Sequence, residues 1–275
     1  MSNTNRIIHV WVLTILLGGT AFSGFENNGR GTKAIGLANA FVALSDNPWA
    51  LYYNPAGAAA IPFVEISAFL IPQQFGMNEL RTVAIAGVVP TAFGTFAAGI
   101  SQFGFSLYRE TEFSLGFGRR VDWGVSAGFV THVSRIFIDQ YGTTTIATVD
   151  VGVLSQVQEQ VAVGFSYKNL LGAGFSSSER LPQVFALGAT YRPVPNVAAV
   201  VELEKDVRHP LVIKAGVEQT FLEILALRAG VSNNPDKFSA GFGVRYSAFE
   251  FSYAGYSHPQ LGWTHQIELT FRPGS

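Results

Sequence analysis

Glu202, Glu204, Lys214, Glu218, Arg228, Arg245 and Glu250 are the residues of this chain whose types and spacing could do chemistry. Within its own alternating segment, each falls on the phase shared with Gly, Ser and Thr, not on the phase of large apolar residues. Asp150, Lys168, His132 and Glu268 fall on that phase too. The signs are mixed, and ions withdrawn from water need partners of opposite charge. The first expectation is a mutually paired charge network. The alternative is a polar conduit or ligand site built from the same side chains.

Catalysis and metal binding call for other patterns. His132, His209, His258 and His265 are scattered, and neither G-x-S-x-G nor H-E-x-x-H occurs. Ser126 shares the phase of His132, a pairing a hydrolase could use but one that chance supplies easily. With no Cys there is no thiolate ligand, cysteine nucleophile or disulfide. The reading is a protein that is not an enzyme and takes no metal or cofactor. A net charge of −1 gives no basis for nucleic-acid binding.

The elements that position these charges are short runs of period two. In Val161–Tyr167, the residues Val161, Val163, Phe165 and Tyr167 are large and apolar, while Ala162, Gly164 and Ser166 are small. About fourteen such runs occur, near 63–71, 82–89, 95–107, 111–119, 123–134, 143–155, 160–168, 183–192, 196–204, 211–220, 224–232, 237–246, 249–256 and 263–271. Short connections tend to alternate with longer ones, which include Pro72–Arg81, Arg135–Gly142 and Asn169–Pro182. Hydrophobic residues make up 48% of the chain and charged ones 13%, yet no run of 18 apolar residues follows the N-terminus. Aromatics near run ends, at Trp123, Tyr191, Tyr246 and Trp263, suit interfacial girdles. The expected fold is all-β: a transmembrane antiparallel β-barrel of about fourteen strands, its large residues facing outer-membrane lipid.

Residues 1–23 have the form of a signal peptide: polar to Arg6, apolar from Val10 to Leu17, with small residues Ala21 and Ser23 before the cleavage point. Residues 24–61 then form an N-terminal helical hatch in the lumen, and 62–275 form the barrel. The expected location is the outer membrane of a Gram-negative-type bacterium. Thr32 can cap a short helix that packs through Ile35, Leu37, Ala38, Phe41 and Val42, and Asp46-Asn47-Pro48 ends it. Tyr52–Gly57 makes a turn into the first strand. Inward glycines at 116, 118, 124, 128, 164, 188, 216, 230, 241 and 243 leave room for this segment against the wall.

The third run changes phase. Phe96, Ala98 and Ile100 share one parity, whereas Phe103, Phe105 and Leu107 need the other. A β-bulge at Ser101 and Gln102 would restore both halves to lipid. Such a bulge either bends the wall or opens a gap through which an apolar ligand leaves sideways.

G-T-K-A-I-G-L-A-N-A-F-V-A-L-S-D-N over 31–47, followed by Y-Y-N-P-A-G over 52–57, resembles the N-terminal signature of the PorV/PorQ family, which belongs with the FadL-type outer-membrane barrels. Asn54, Pro55, Ala56 and Gly57 are the hatch-motif residues it marks. The resemblance implies a fourteen-stranded barrel with a hatch folded into its lumen. For PorV-type members it implies partnership with type IX secretion components or exported proteins. For FadL-type members it implies diffusion of hydrophobic small molecules, with a lateral opening at a kinked third strand. The sequence expectation is thus a transport or secretion-associated component; the alternative is a passive channel for hydrophobic small molecules.

Overall fold

The computed structural model describes residues 29–121, 124–175 and 180–273. The expected signal peptide at 1–23, residues 24–28 of the expected hatch and Trp123 lie outside the described residues.

Fourteen strands form one closed antiparallel barrel. They are β1 (Glu65–Ile71), β2 (Thr82–Thr91), β3 (Gly94–Gly104), β4 (Tyr108–Arg120), β5 (Val125–Ile138), β6 (Gly142–Gln158) and β7 (Val161–Lys168), then β8 (Val184–Val194), β9 (Val197–Asp206), β10 (Val212–Phe221), β11 (Leu225–Ser232), β12 (Lys237–Tyr246), β13 (Phe249–His258) and β14 (Gly262–Phe271). Each pairs with its neighbours in sequence. β1 closes on β14 through pairs such as Ser67 with Thr270. Closure leaves no edge strand, so the backbone groups of the wall are paired within it.

The alternation read from the sequence is the alternation of the wall. On β14, Trp263, Ile267, Leu269 and Phe271 are exposed, while Thr264, Gln266, Glu268 and Thr270 are buried. The outward face carries large apolar side chains on every strand, Leu115, Phe238 and Val201 among them. A continuous apolar band of this kind suits hydrocarbon and not water.

Two boundaries differ from expectation for local reasons. The connection foreseen at Arg135–Gly142 shrinks to three residues, because the β-branched Thr143, Thr144 and Thr145 continue the ladder opposite Phe137, Ile136 and Arg135. The bulge expected at Ser101 and Gln102 is absent. β3 runs in unbroken register there, with Ser101 opposite Ala84 and Glu112, and Gln102 opposite Val83 and Thr111. Ser101 points inward and Gln102 outward. The phase change falls instead at Gly104, whose φ of 99° ends the strand, so Phe105 and Leu107 belong to the turn into β4. Phe103 takes the lumen side, with its ring 6.5 Å from that of Tyr108. Register shifts occur at Gln156/Gln158 and Tyr191/Val194, beside tight turns.

The segment before β1 folds as α1 (Thr32–Gly36), α2 (Ala50–Tyr53) and a 3-10 helix over Pro55–Ala60. α1 is shorter than the apolar spacing implied. Ala38 and Asn39 adopt left-handed φ values of 55° and 62°, which a helix cannot continue through. Gly31 sits at its N-cap, and Thr32 is its first helical residue. The core of the molecule is this segment against the inner wall: Trp49, Phe41, Leu37, Leu51, Phe69 and Val130 are all buried.

Candidate functional site: the filled lumen

The four motif residues hold the N-terminal segment to itself and to the wall. Asn54 is wholly buried. Its Nδ2 donates to the carbonyl of Val42 at 2.8 Å and to that of Val153 on β6 at 3.0 Å. Its Oδ1 accepts the Ala56 N–H at 3.1 Å. Pro55 opens the 3-10 helix, where a missing N–H is no loss. Ala56 is buried, and a Cβ at Gly57 would stand 2.1 Å from the Ser45 carbonyl oxygen. The expected turn at Tyr52–Gly57 is therefore two short helices joined at Asn54.

The inner wall receives the segment through glycines. A Cβ at Gly128 would lie 2.5 Å from the Pro55 carbonyl carbon, and one at Gly164 would lie 2.3 Å from the Val42 carbonyl oxygen. Gly116, Gly118, Gly188, Gly216 and Gly230 meet the segment in the same way. Gly241 backs onto Gly36. Gly124 and Gly243 do not face the segment: Gln156 lies over the first, and Glu250, Ser252 and Arg228 over the second.

Wall carboxylates, interleaved with these glycines, bind it as well: Glu202 lies opposite Gly188 in the ladder. Glu202 on β9 accepts the N–H groups of Phe41 and Val42, both at 2.8 Å. Glu268 on β14 accepts the Thr32 N–H at 2.6 Å, the Thr32 hydroxyl at 2.9 Å and the Trp49 indole N–H at 2.8 Å. Ser239 accepts the Ala38 N–H at 2.9 Å. The bonds to Thr32, Phe41 and Val42 satisfy backbone N–H groups of the segment, the first at the start of α1, where no helical acceptor exists.

The seven expected charges fall into two groups. Lys214 pairs with Glu202 at 2.9 Å and with Glu204 at 2.8 Å. Glu218 sits between Lys33 at 2.9 Å and Arg228 at 2.6 Å, and Glu250 receives Arg228, Arg245 and Arg272. The second group borders a cavity of about 310 Å³ at the barrel end nearest the chain's entry into β1, lined by Lys33, Asp46, Glu65, Glu218, Arg228 and Arg272 among others. Burial works against the Lys33 charge. The carboxylates of Asp46 and Glu218 outweigh it and hold the ammonium above its ordinary pKa.

A third cluster was missed. Arg30 pairs with Glu112 at 3.1 Å, donates to Ser101 at 3.0 Å and lies 4.3 Å above the Tyr52 ring. Ser126 and His132, which share a phase, do not pair. Ser114 meets His132 Nδ1 at 2.6 Å, and His132 Nε2 faces Asp150 at 3.3 Å. Ser114 is sealed beneath Tyr52, so the line serves packing and offers a substrate no access. Glu112 was legible in principle, since it shares the phase of Ser114, Gly116 and Gly118. Arg30 lies outside every alternating run and carried no such signal.

The closed fourteen-strand wall and its filling share their fold with solved FadL-type barrels. The individual likenesses are to solved structures of that class. The toluene transporter TbuX of Ralstonia pickettii superposes with a TM-score of 0.69 at 10% identity, over 90% of this chain and 98% of that one. A Pseudomonas aeruginosa FadL homologue gives 0.60 at 12% identity, over 88% and 98%. The monoaromatic hydrocarbon channel CymD gives 0.64 at 12%, over 90% and 98%. Identities this low establish the fold alone. No protein-family model matches the sequence, and no curated protein matches it.

Proposed function

We propose that this chain is an outer-membrane barrel that lets small hydrophobic molecules cross by passive diffusion, after export on the signal peptide at 1–23. Residues 24–61 act as a hatch inside the barrel at 62–275, in the outer membrane of a Gram-negative-type bacterium. The observation that carries this reading is the filled lumen. The described part of the segment packs against wall glycines and is bonded by wall carboxylates, so a solute passes only if the segment shifts. An apolar outer band and a fold shared with hydrocarbon transporters support the same reading. Exit through a bulge at Ser101 and Gln102 is not retained, because the register there is unbroken. The comparisons lend no support to a secretion role with type IX components.

Accumulation of radiolabelled toluene tests the proposal, in cells of a Gram-negative host with and without the chain. Expression raises accumulation on this account. Accumulation equal to that of vector-only cells would overturn it.

A further inference from the structure

Two arginines stand on the lipid-facing side of the wall without an acidic partner. Arg109 on β4 and Arg135 on β5 are exposed and share the phase of the outward Phe113, Leu115, Phe129 and Val133. Arg109 lies opposite Phe137, and Arg135 lies opposite Thr111. The two are therefore diagonal neighbours on adjacent strands, with backbones roughly 7–8 Å apart. Among the described residues neither pairs with a carboxylate. The acidic residues of β4 serve the lumen instead: Glu110 accepts from the Tyr108 hydroxyl, and Glu112 pairs with Arg30.

The ladder sets these cations beside an apolar surface. In one row, Thr145, Arg135, Thr111 and Gln102 follow one another across β6, β5, β4 and β3. In the next row on the same face, Ala147, Val133, Phe113 and Ile100 do so. The wall thus changes from hydrogen-bonding side chains to hydrocarbon within one step of the pleat. An arginine on the lipid face is destabilising deep in a bilayer and close to neutral at head-group level. The pair stands at the barrel end that carries the long connections 72–81 and 169–183, the exterior end of an outer-membrane barrel.

We propose that this patch of the β3–β6 wall holds the phosphorylated head of an outer-leaflet glycolipid, with Arg109 and Arg135 on phosphate and the apolar row along the acyl chains. The inference rests on the outer-membrane placement proposed above and is independent of what crosses the lumen. A guanidinium meets phosphate through two parallel hydrogen bonds while its stem lies along hydrocarbon. Thr111, Thr145 and Gln102 add neutral donors beside it. A free phosphate would meet the polar row alone, whereas a lipid meets both rows.

Native mass spectrometry of the full chain in detergent reads the lipid directly, with diphosphorylated lipid A and its dephosphorylated form as probes. Heat-modifiable mobility on a gel shows that each variant is folded. The native chain should bind the diphosphorylated form on the order of tenfold more tightly. Arg109→Gln/Arg135→Gln should lose that preference, and Arg119→Gln/Arg120→Gln, at the opposite end of β4, should keep it. Equal affinities in the native chain, an undiminished preference in the first variant, or an equal loss in the second would overturn the proposal. Fractionation of the host's membranes reads the placement separately. Outer-membrane chain without the lipid preference defeats only this inference, and the preference without that location defeats only the placement.

Discussion

The indole N–H of Trp49 donates to Oε1 of Glu268 at 2.8 Å, joining residues 219 positions apart in the chain. That bond ties the middle of the N-terminal segment to the last strand, while Oε2 of the same carboxylate holds Thr32 at its start. One wall residue thus fixes two points of the filling.

Glu268→Ala leaves three buried donors without an acceptor, each costing about 1–3 kcal/mol. Residues 29–61 should then become open to protease while the barrel keeps its heat-modifiable mobility. Glu268→Gln retains acceptor oxygen and should lie between. Unchanged protease resistance in Glu268→Ala would show that the carboxylate does not hold the segment.

Gly128 makes the opposite kind of contact. Its missing Cβ would meet the Pro55 backbone at 2.5 Å, and backbone cannot swing aside. Gly128→Val should displace the 3-10 helix, costing about 1–3 kcal/mol or more from overpacking. Gly87→Ala, whose nearest neighbour would be at 3.4 Å, should be close to neutral. Thermal unfolding of the two variants in detergent checks the contrast.

Lys33 gives a dependence on pH with a definite sign. Its folded pKa is raised above the ordinary 10.5, so the stability it adds is fully present below that value and is lost only as pH climbs through the raised one. Lys33→Met should therefore lower the melting temperature by the same amount at about pH 6 and about pH 9. A deficit that vanished at the higher pH would mean that Lys33 is already neutral there.

Period-two alternation placed all fourteen strands, because a wall between lipid and a packed lumen imposes one chemistry on each parity. Glu202, Lys214, Glu218, Arg228 and Glu250 were readable as inward for the same reason. The groups of the N-terminal segment that meet wall carboxylates were not. Thr32, Lys33, Trp49 and Arg30 belong to a segment whose contacts are set by three-dimensional packing, and no period marks them. The false bulge shows the limit from the other side. Parity detects that the phase changes near Ser101, but only Gly104, with its left-handed backbone, shows that the strand has simply ended. Ser101 proved informative for another reason, as the wall hydroxyl that receives Arg30.

The central claim is that passage requires the N-terminal segment to move, and a reversible lock tests it most directly. The chain has no Cys, so introduced pairs are the sole thiols. A Cβ at Gly216 would lie 3.0 Å from that of Leu37, and one at Gly118 would lie 3.3 Å from that of Ala58; both are near disulfide reach. The Leu37→Cys/Gly216→Cys pair pins the far part of the segment. The Ala58→Cys/Gly118→Cys pair pins only its root beside β1. Toluene accumulation by cells carrying the first pair should fall to the vector-only level on oxidation and return on reduction, while the second pair stays active throughout. Undiminished accumulation through the oxidised Leu37–Gly216 pair would contradict the account.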